Sequence, residues 1–97
     1  MEQQTKYSID YSGLPAHMQD AMRMYIEDGI EPGGFLSAVL ENNLMRAFGR
    51  ADSINAAHIK DYCAFLYNDV PGNCHGSPDI VTAWINRGGL RGKEQAA

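Results

Sequence analysis

The sequence has no run of about 18 consecutive apolar residues, the length that a membrane-spanning helix needs. Its polar start, MEQQTKYSID, lacks the apolar core of a secretory signal peptide. Cysteine is scarce, since only Cys63 and Cys74 occur, and nothing directs them to the oxidising compartments where disulfides form. We therefore expect a cytoplasmic protein with no membrane partner and two thiols, Cys63 on a buried helix face and Cys74 in an exposed loop.

Basic residues are few. The 97 residues include 8 lysines and arginines against 12 acidic residues, for a net charge of −4. Because no basic cluster occurs, direct nucleic-acid binding is not expected. The acidic residues do not form runs at phosphate-like spacing, which makes a DNA mimic the weakest functional alternative. The hydrophobic fraction of 44% is typical of one globular domain, with a core so thin that self-association would help it.

Patterns typical of metal sites and of catalysis are also missing. Neither a Cys-x-x-Cys nor a His-x-x-x-His pair occurs, so we predict no metal site and no cofactor. His58 and Asp61 could form an acid/base pair, but their spacing of three also arises by chance on a solvated helix face. A cysteine nucleophile needs a positioned base, which neither a core cysteine nor a loop cysteine is expected to have. We predict that the protein is not an enzyme.

Glycine and proline divide the apolar residues into helical segments and predict an all-α fold, a compact bundle of about four short helices. The predicted helices begin near Pro15, Gly34, Asp52 and Ser77 and end, in the same order, at Gly29, Gly49, Pro71 and Gly88. The first two form a helical hairpin over residues 15–49. A single domain spans residues 13–89, residues 1–12 are extended or flexible, and residues 90–97 form a flexible tail.

The loop from Gly29 to Gly34 has the glycine spacing of a phosphate-binding loop. That motif continues with lysine after a strand, whereas Phe35 follows here and a helix precedes. A DNA-reading helix-turn-helix is disfavoured too, because the second helix starts with apolar side chains instead of polar and basic ones. We interpret the loop as a corner between two helices, the second of which buries Leu44 and Phe48 on its apolar stripe.

Several polar and aromatic residues lie next to the apolar stripes. Asn43 is expected near a buried face, where it either bonds a loop backbone or serves as a polar element of an interface. Tyr67 and Asn68 are expected to line a shallow groove with Trp84, because tyrosine and tryptophan often anchor interfaces. The candidate partner- or ligand-binding residues are Asn42, Asn43, Arg46, Arg50, Tyr67, Asn68, His75 and Trp84.

The chain contains several short motifs: Leu14-Pro15, Tyr25-Ile26-Glu27, the run from Phe35 to Leu40, Gly76-Ser77-Pro78 and Ala83-Trp84-Ile85. In this combination, from about Tyr11 to Gly89, the chain resembles small accessory proteins of tailed bacteriophages and prophages. No activity or catalytic residue is assigned to that group, so none is carried over. The relatives often show Asn-Asp where this chain has Asn42 and Asn43, which argues against an acidic role at Asn43.

The resemblance implies a protein of the bacterial host cytoplasm that acts by protein–protein contact. Its expected partner is a host protein, for example of a nuclease or defence system, and it is expected to work as a homo-oligomer. The alternative is a small-ligand or nucleotide sponge. Such a site would use the positive ends of the helices near Gly34 and Ser77, with Arg46, Arg50 or Arg87 beside the anion.

Overall fold

The computed structural model describes residues 7–96, and the side chains among them up to residue 92. Within this part of the chain the fold is all-α, which confirms the predicted class. The helices are α1 (Gln19–Asp28), α2 (Gly34–Leu40), α3 (Leu44–Arg50), α4 (Ser53–Ala57), α5 (Ile59–Asn68), α6 (Pro78–Arg87) and α7 (Gly89–Ala96). Short 3₁₀ turns occur at Ala16–Met18 and Gly72–Cys74.

A single apolar core joins these helices. Most of its buried members come from the N-terminal segment, α1, α2, α5 and α6, and include Tyr11, Leu14, Met22, Tyr25, Ile26, Leu36, Leu40, Tyr62, Leu66, Val81 and Trp84. The predicted caps form as expected: Asp52 and Ser77 accept hydrogen bonds from the amides of Asn55 and Ile80. Gly29 and Gly88 end α1 and α6 in the left-handed conformation, with φ of 69° and 85°.

The predicted second helix is two helices. Asn42 has a φ of 64°, a left-handed conformation that no α-helix can contain, and Asn43 begins a new helix at Leu44. The predicted third helix is likewise interrupted at His58, which separates α4 from α5. The number of helices in the described residues is therefore larger than the four predicted.

The prediction of a helical hairpin over residues 15–49 is wrong. The closely packed pair is α2 with α3, joined by the turn at 41–43, while α1 packs mainly on α7. The linker after α1 explains the difference, because Pro32 and the extended Gly33, with a ψ of 179°, lead the chain away from α1.

The C-terminal residues also differ from the prediction. Instead of a flexible tail after Gly89, the chain forms α7, which packs on α1. Leu90 packs against the core, and Arg91 pairs with Asp28 of α1. Gly89 permits this close approach: a methyl group there would lie 2.6 Å from the amide nitrogen of Gly29.

The burial of the two cysteines is the reverse of the prediction. Cys63 is exposed on α5, whereas Cys74 is buried with no solvent exposure. The loop before α6 folds inward because the hydroxyl of Tyr25 donates to the carbonyl of Cys74 at 2.7 Å. The amide of Gly76 donates to the carbonyl of Leu40, also at 2.7 Å.

The molecule is compact but flat. Its Cα radius of gyration is 12.6 Å, close to the ~12.5 Å expected for a chain of this length. Its extents are 40 × 34 × 20 Å, so its shortest dimension is about two helix diameters. None of the described helices combines the length and apolar content needed to cross a membrane.

Candidate protein-binding surface

Three large apolar side chains of α3 point into solvent. Leu44 is 59% exposed, Met45 83% and Phe48 51%. The stripe prediction placed Leu44 and Phe48 in the core, and it is wrong at both positions. The break at Asn42 is the cause, because α3 does not continue α2, and of the predicted stripe residues on α3 only Ala47 is buried.

Two hollows lie near α3, and Leu44 lines one of them. The smaller, of about 50 Å³, lies between α2, α3 and α5, and Leu44, Ala47 and Ile59 are among its lining residues. The larger, of about 300 Å³, is lined by residues that include Leu66, Tyr67 and His75. Both hollows share Val39, Asn42 and Cys63, so they are adjacent.

Tyr67 stands at the edge of the larger hollow with 85% of its surface exposed. We name the surface formed by Leu44, Met45, Phe48, Tyr67 and the two hollows the α3–α5 face. Leu44 and Tyr67 line these hollows, Met45 and Phe48 lie on the same helix as Leu44, and tyrosine is a residue type that often anchors interfaces. The face therefore has the composition of a contact surface for another macromolecule.

The Asn42–Asn43 turn holds α3 in its orientation. The side-chain oxygen of Asn43 accepts a hydrogen bond from the amide of Arg46 at 3.1 Å, and its backbone amide donates to the carbonyl of Ala38 at 2.8 Å. Asn43 is exposed, contrary to the prediction that it lies near a buried face. Its side chain caps a helix, and both asparagines also line the smaller hollow.

Charge is distributed unevenly around the hollows. Among the described residues, those that line the α3–α5 face carry no carboxylate. A third hollow, of about 230 Å³ between α2 and α6, has Glu31 and Glu41 in its lining. A fourth, of about 350 Å³ on the other side of α5, has Asp10, Asp61 and Asp69. Among the described residues, the carboxylates that line these hollows thus lie outside the α3–α5 face.

Four of the sequence-predicted site residues meet on this face: Asn42, Asn43, Tyr67 and His75. Arg46 lies beside it, 3.7 Å from the carboxylate of Glu41. The others are elsewhere. Asn68 is exposed at the end of α5, outside both linings, and the Arg50 side chain lies against Gly34.

Trp84 does not line a groove with Tyr67. It is 1% exposed, and its indole nitrogen donates to the carbonyl of Tyr25 at 3.0 Å. Arg87 stacks over the Trp84 ring at 4.4 Å, which places this cation at the end of α6 opposite to Ser77. Trp84, which was expected in a groove because tryptophan often anchors interfaces, is therefore a core residue that joins α1 to α6.

Away from the exposed apolar side chains, Cys74 lies in the interior and His58 in a surface pair with Asp61. Burial raises the pKa of Cys74 to about 12, so its thiol stays protonated at neutral pH. His58 and Asp61 do form a pair, at 2.7 Å, on the exposed side of α5. Among the residues that the structure describes, no group of three or more histidines, cysteines or acids could hold a metal ion.

Two buried polar residues were not anticipated from the sequence. Glu27 is 4% exposed and accepts a hydrogen bond from the Tyr11 hydroxyl at 2.9 Å. Asn55 is 3% exposed and accepts one from the Tyr62 hydroxyl at 2.7 Å. Each of these buried side chains has a hydrogen bond with a tyrosine of another element. The apolar periodicity of a single helix does not predict such a contact between elements.

Comparisons of the chain with known protein families, with curated proteins and with solved structures found no match.

Proposed function

We propose that this chain is a non-enzymatic binding protein that acts by contact with another protein, through the α3–α5 face. The exposure of Leu44, Met45 and Phe48 on one short helix supports this most directly. Single exposed apolar side chains are ordinary, but a contiguous group beside a depression is a feature of contact surfaces.

The surroundings of the group favour a protein over a small anion as the ligand. Nucleotides need clustered cations or several free backbone amides, and no arginine or lysine lines either hollow within the described residues. Arg46 already lies near Glu41, and Arg87 stacks on Trp84. An apolar partner surface would instead be complementary to the exposed side chains.

The resemblance to small phage proteins supports a host protein as the partner. Proteins of that kind commonly act on host machinery, and inhibition of a defence or nuclease system is the expected consequence of binding. In this proposal the chain supplies a rigid apolar surface and no reacting group.

The proposal is tested by affinity purification of the tagged chain from phage-infected cells, followed by mass spectrometry and reconstitution of the captured complex. We expect Met45→Glu to abolish capture, because a charge would be buried against an apolar partner. Ile30→Glu is the matched control, since Ile30 is 46% exposed and belongs to the linker between α1 and α2 instead of to α3.

Two outcomes contradict this function. The first is a partner that both variants retain equally, since its contact would lie elsewhere on the chain. The second is a thermal shift with nucleotides in the absence of any captured protein. Ligand at about 100 times its dissociation constant adds roughly 2.7 kcal/mol to the free energy of unfolding, so such a shift is readily seen.

A further inference from the structure

We infer that α7 is a strap that opens from α1 in the native state while the rest of the fold stays closed, and that the ion pair between Arg91 and Asp28 controls the opening. The opening exposes the main chain of the last turn of α1, against which Gly89 lies. The inference is independent of the proposed function, because the residues that line the α3–α5 face lie on α2, α3, α5 and the loops next to them.

Apolar contacts hold α7 only weakly. Of the α7 side chains that the structure describes, Leu90 is the one that packs against the core, and it is partly buried. In α1, by contrast, Met22, Tyr25 and Ile26 have no solvent exposure. Detaching α7 therefore exposes much less apolar surface than unfolding α1, and we expect it to occur far more often.

The sequence of α7 and its connection to α6 also favour opening. The helix has eight residues, whereas isolated helices shorter than about 12–15 residues are marginal in water. It contains Gly92, and glycine within a helix is less favourable than alanine. Gly88 and Gly89 join it to α6 with positive φ, of 85° and 67°. Because glycine changes its backbone conformation more readily than other residues, this pair can serve as the hinge.

Electrostatic attraction compensates for the weak apolar contacts. The last turn of α1, residues 25–28, carries Glu27 and Asp28 and no basic residue, and the C-terminal end of a helix has a partial negative charge. The Nε of Arg91 donates to the carboxylate of Asp28. The charge of Glu27 acts on the same guanidinium, and both carboxylates raise the pKa of Arg91. Arg91 therefore neutralises the acidic end of α1 when α7 is docked.

Dissolved ions have access to this pair, since the Arg91 and Asp28 side chains are 44% and 29% exposed. The Debye length falls from about 30 Å at 0.01 M salt to about 3 Å at 1 M, so salt weakens an exposed ion pair. Exposed pairs change an equilibrium constant by about two- to fivefold. We therefore expect high salt to weaken the docking of α7 by about this factor.

Native-state hydrogen exchange of the full chain, followed by NMR in about 0.01 M and about 1 M sodium chloride, tests the strap. The amide of Gly92 is the reporter, because it donates to the carbonyl of Gly88 at 3.0 Å. We expect its protection factor to be at least about tenfold lower than those of the Met22 and Ile26 amides in α1. High salt should lower it by a further two- to fivefold or so and leave the α1 amides unchanged.

Two substitutions isolate the ion pair. Arg91→Ala and Asp28→Asn should each lower the protection of the Gly92 amide in low salt by about two- to fivefold, and each should remove its salt response. Arg23→Ala is the matched control, because it also removes one positive charge and Arg23 pairs with Asp20 at 3.1 Å within α1. The control variant should retain both the protection of Gly92 and its salt response.

Three results would overturn the inference. A Gly92 amide as strongly protected as that of Ile26 would mean that α7 opens only when the whole molecule unfolds. A Gly92 amide that exchanges at the rate of an unstructured chain would mean that α7 is not docked on α1. A salt response that Arg91→Ala retains in full would mean that another contact controls the opening.

Discussion

Gly29 and Gly89 bring two stretches of main chain into direct contact. Both have positive φ, of 69° and 67°, and neither has room for a side chain. A methyl group on Gly29 would lie 2.7 Å from the amide nitrogen of Gly89. At the scale of single residues, these two glycines determine how closely α7 can approach α1.

We predict that Gly29→Ala and Gly89→Ala each lower the free energy of unfolding by more than about 2 kcal/mol. The left-handed conformation alone costs an alanine roughly 1–2 kcal/mol, and the steric clash adds to it. Gly49→Ala is the control, because Gly49 lies within α3 with nothing within 4 Å of an added methyl group. Gly49→Ala should raise the free energy of unfolding by about 0.5–1 kcal/mol. Urea denaturation of the three variants measures these changes, which are expected to be opposite in sign for Gly49→Ala and for the other two.

The stability of the protein should fall at alkaline pH. Burial raises the pKa of Cys74 from 9.0 to about 12, and it also raises that of the neighbouring Tyr25 hydroxyl. Between pH 9 and 12 the unfolded chain has lost a thiol proton that the folded chain retains, so the free energy of unfolding decreases as pH rises. One such group contributes up to about 1.4 kcal/mol per pH unit.

Denaturation at a series of pH values from 7 to about 10.5 tests this titration. Between pH 9 and about 9.5 the tyrosines of the unfolded chain are still mostly protonated, so Cys74→Ala should make the decline less steep there. A wild-type stability that does not change up to pH 10 would contradict the assignment.

At the scale of elements, the caps and terminators were predictable and the break within the second helix was not. Ser77, Asp52, Gly29 and Gly88 act locally, so their residue types alone indicate where helices begin and end. The apolar spacing from Phe35 to Phe48 continues through Asn42, and periodicity therefore concealed the break. The local signal was the Asn-Asn pair itself, since asparagine both tolerates left-handed φ and caps helices.

The same limit applies to α7 and to the candidate face. The sequence GLRGKEQA has two glycines and only one large apolar residue, so its helix depends on contact with α1 that no local pattern shows. Tyr67, Asn42, Asn43 and His75 were recognised as candidates by residue type. Leu44 and Phe48, which the stripe placed in the core, joined them only once the orientation of α3 was known.

We predict that Asn43→Ala destabilises the protein by about 1 kcal/mol, because it removes the side-chain oxygen that accepts from the Arg46 amide. The reorientation of α3 would also weaken contacts made by the α3–α5 face. Asn68→Ala is the matched control, as Asn68 is exposed and lies at the C-terminal end of α5. Thermal unfolding by circular dichroism compares the two, and an equal loss in both would argue against the capping role.

At the scale of the whole molecule, the chain buries one core in a slab about two helices thick. Trp84, the only tryptophan, lies in that core and bonds the carbonyl of Tyr25, so it touches both α1 and α6. Tyr25 in turn bonds the loop that contains Cys74. These contacts join distant elements, and we expect them to be lost together.

Unfolding should accordingly be a single cooperative transition. Trp84 fluorescence reports on the core and far-ultraviolet circular dichroism on all helices, so the two curves should coincide in urea. Thr82→Ala, on the exposed side of α6, serves as a control that should leave the midpoints of both unfolding curves unchanged. Separate midpoints would show that part of the chain unfolds independently.

The contact between Gly29 and Gly89 also bears on the order in which the chain folds. These residues are sixty positions apart, so their contact closes a long loop and is expected late, after the local turns have formed. During synthesis, α1 leaves the ribosome well before its neighbour α7 exists, and its C-terminal turn stays uncovered until Gly89 has emerged. In stopped-flow experiments, Gly29→Ala should therefore speed unfolding while leaving the refolding rate almost unchanged.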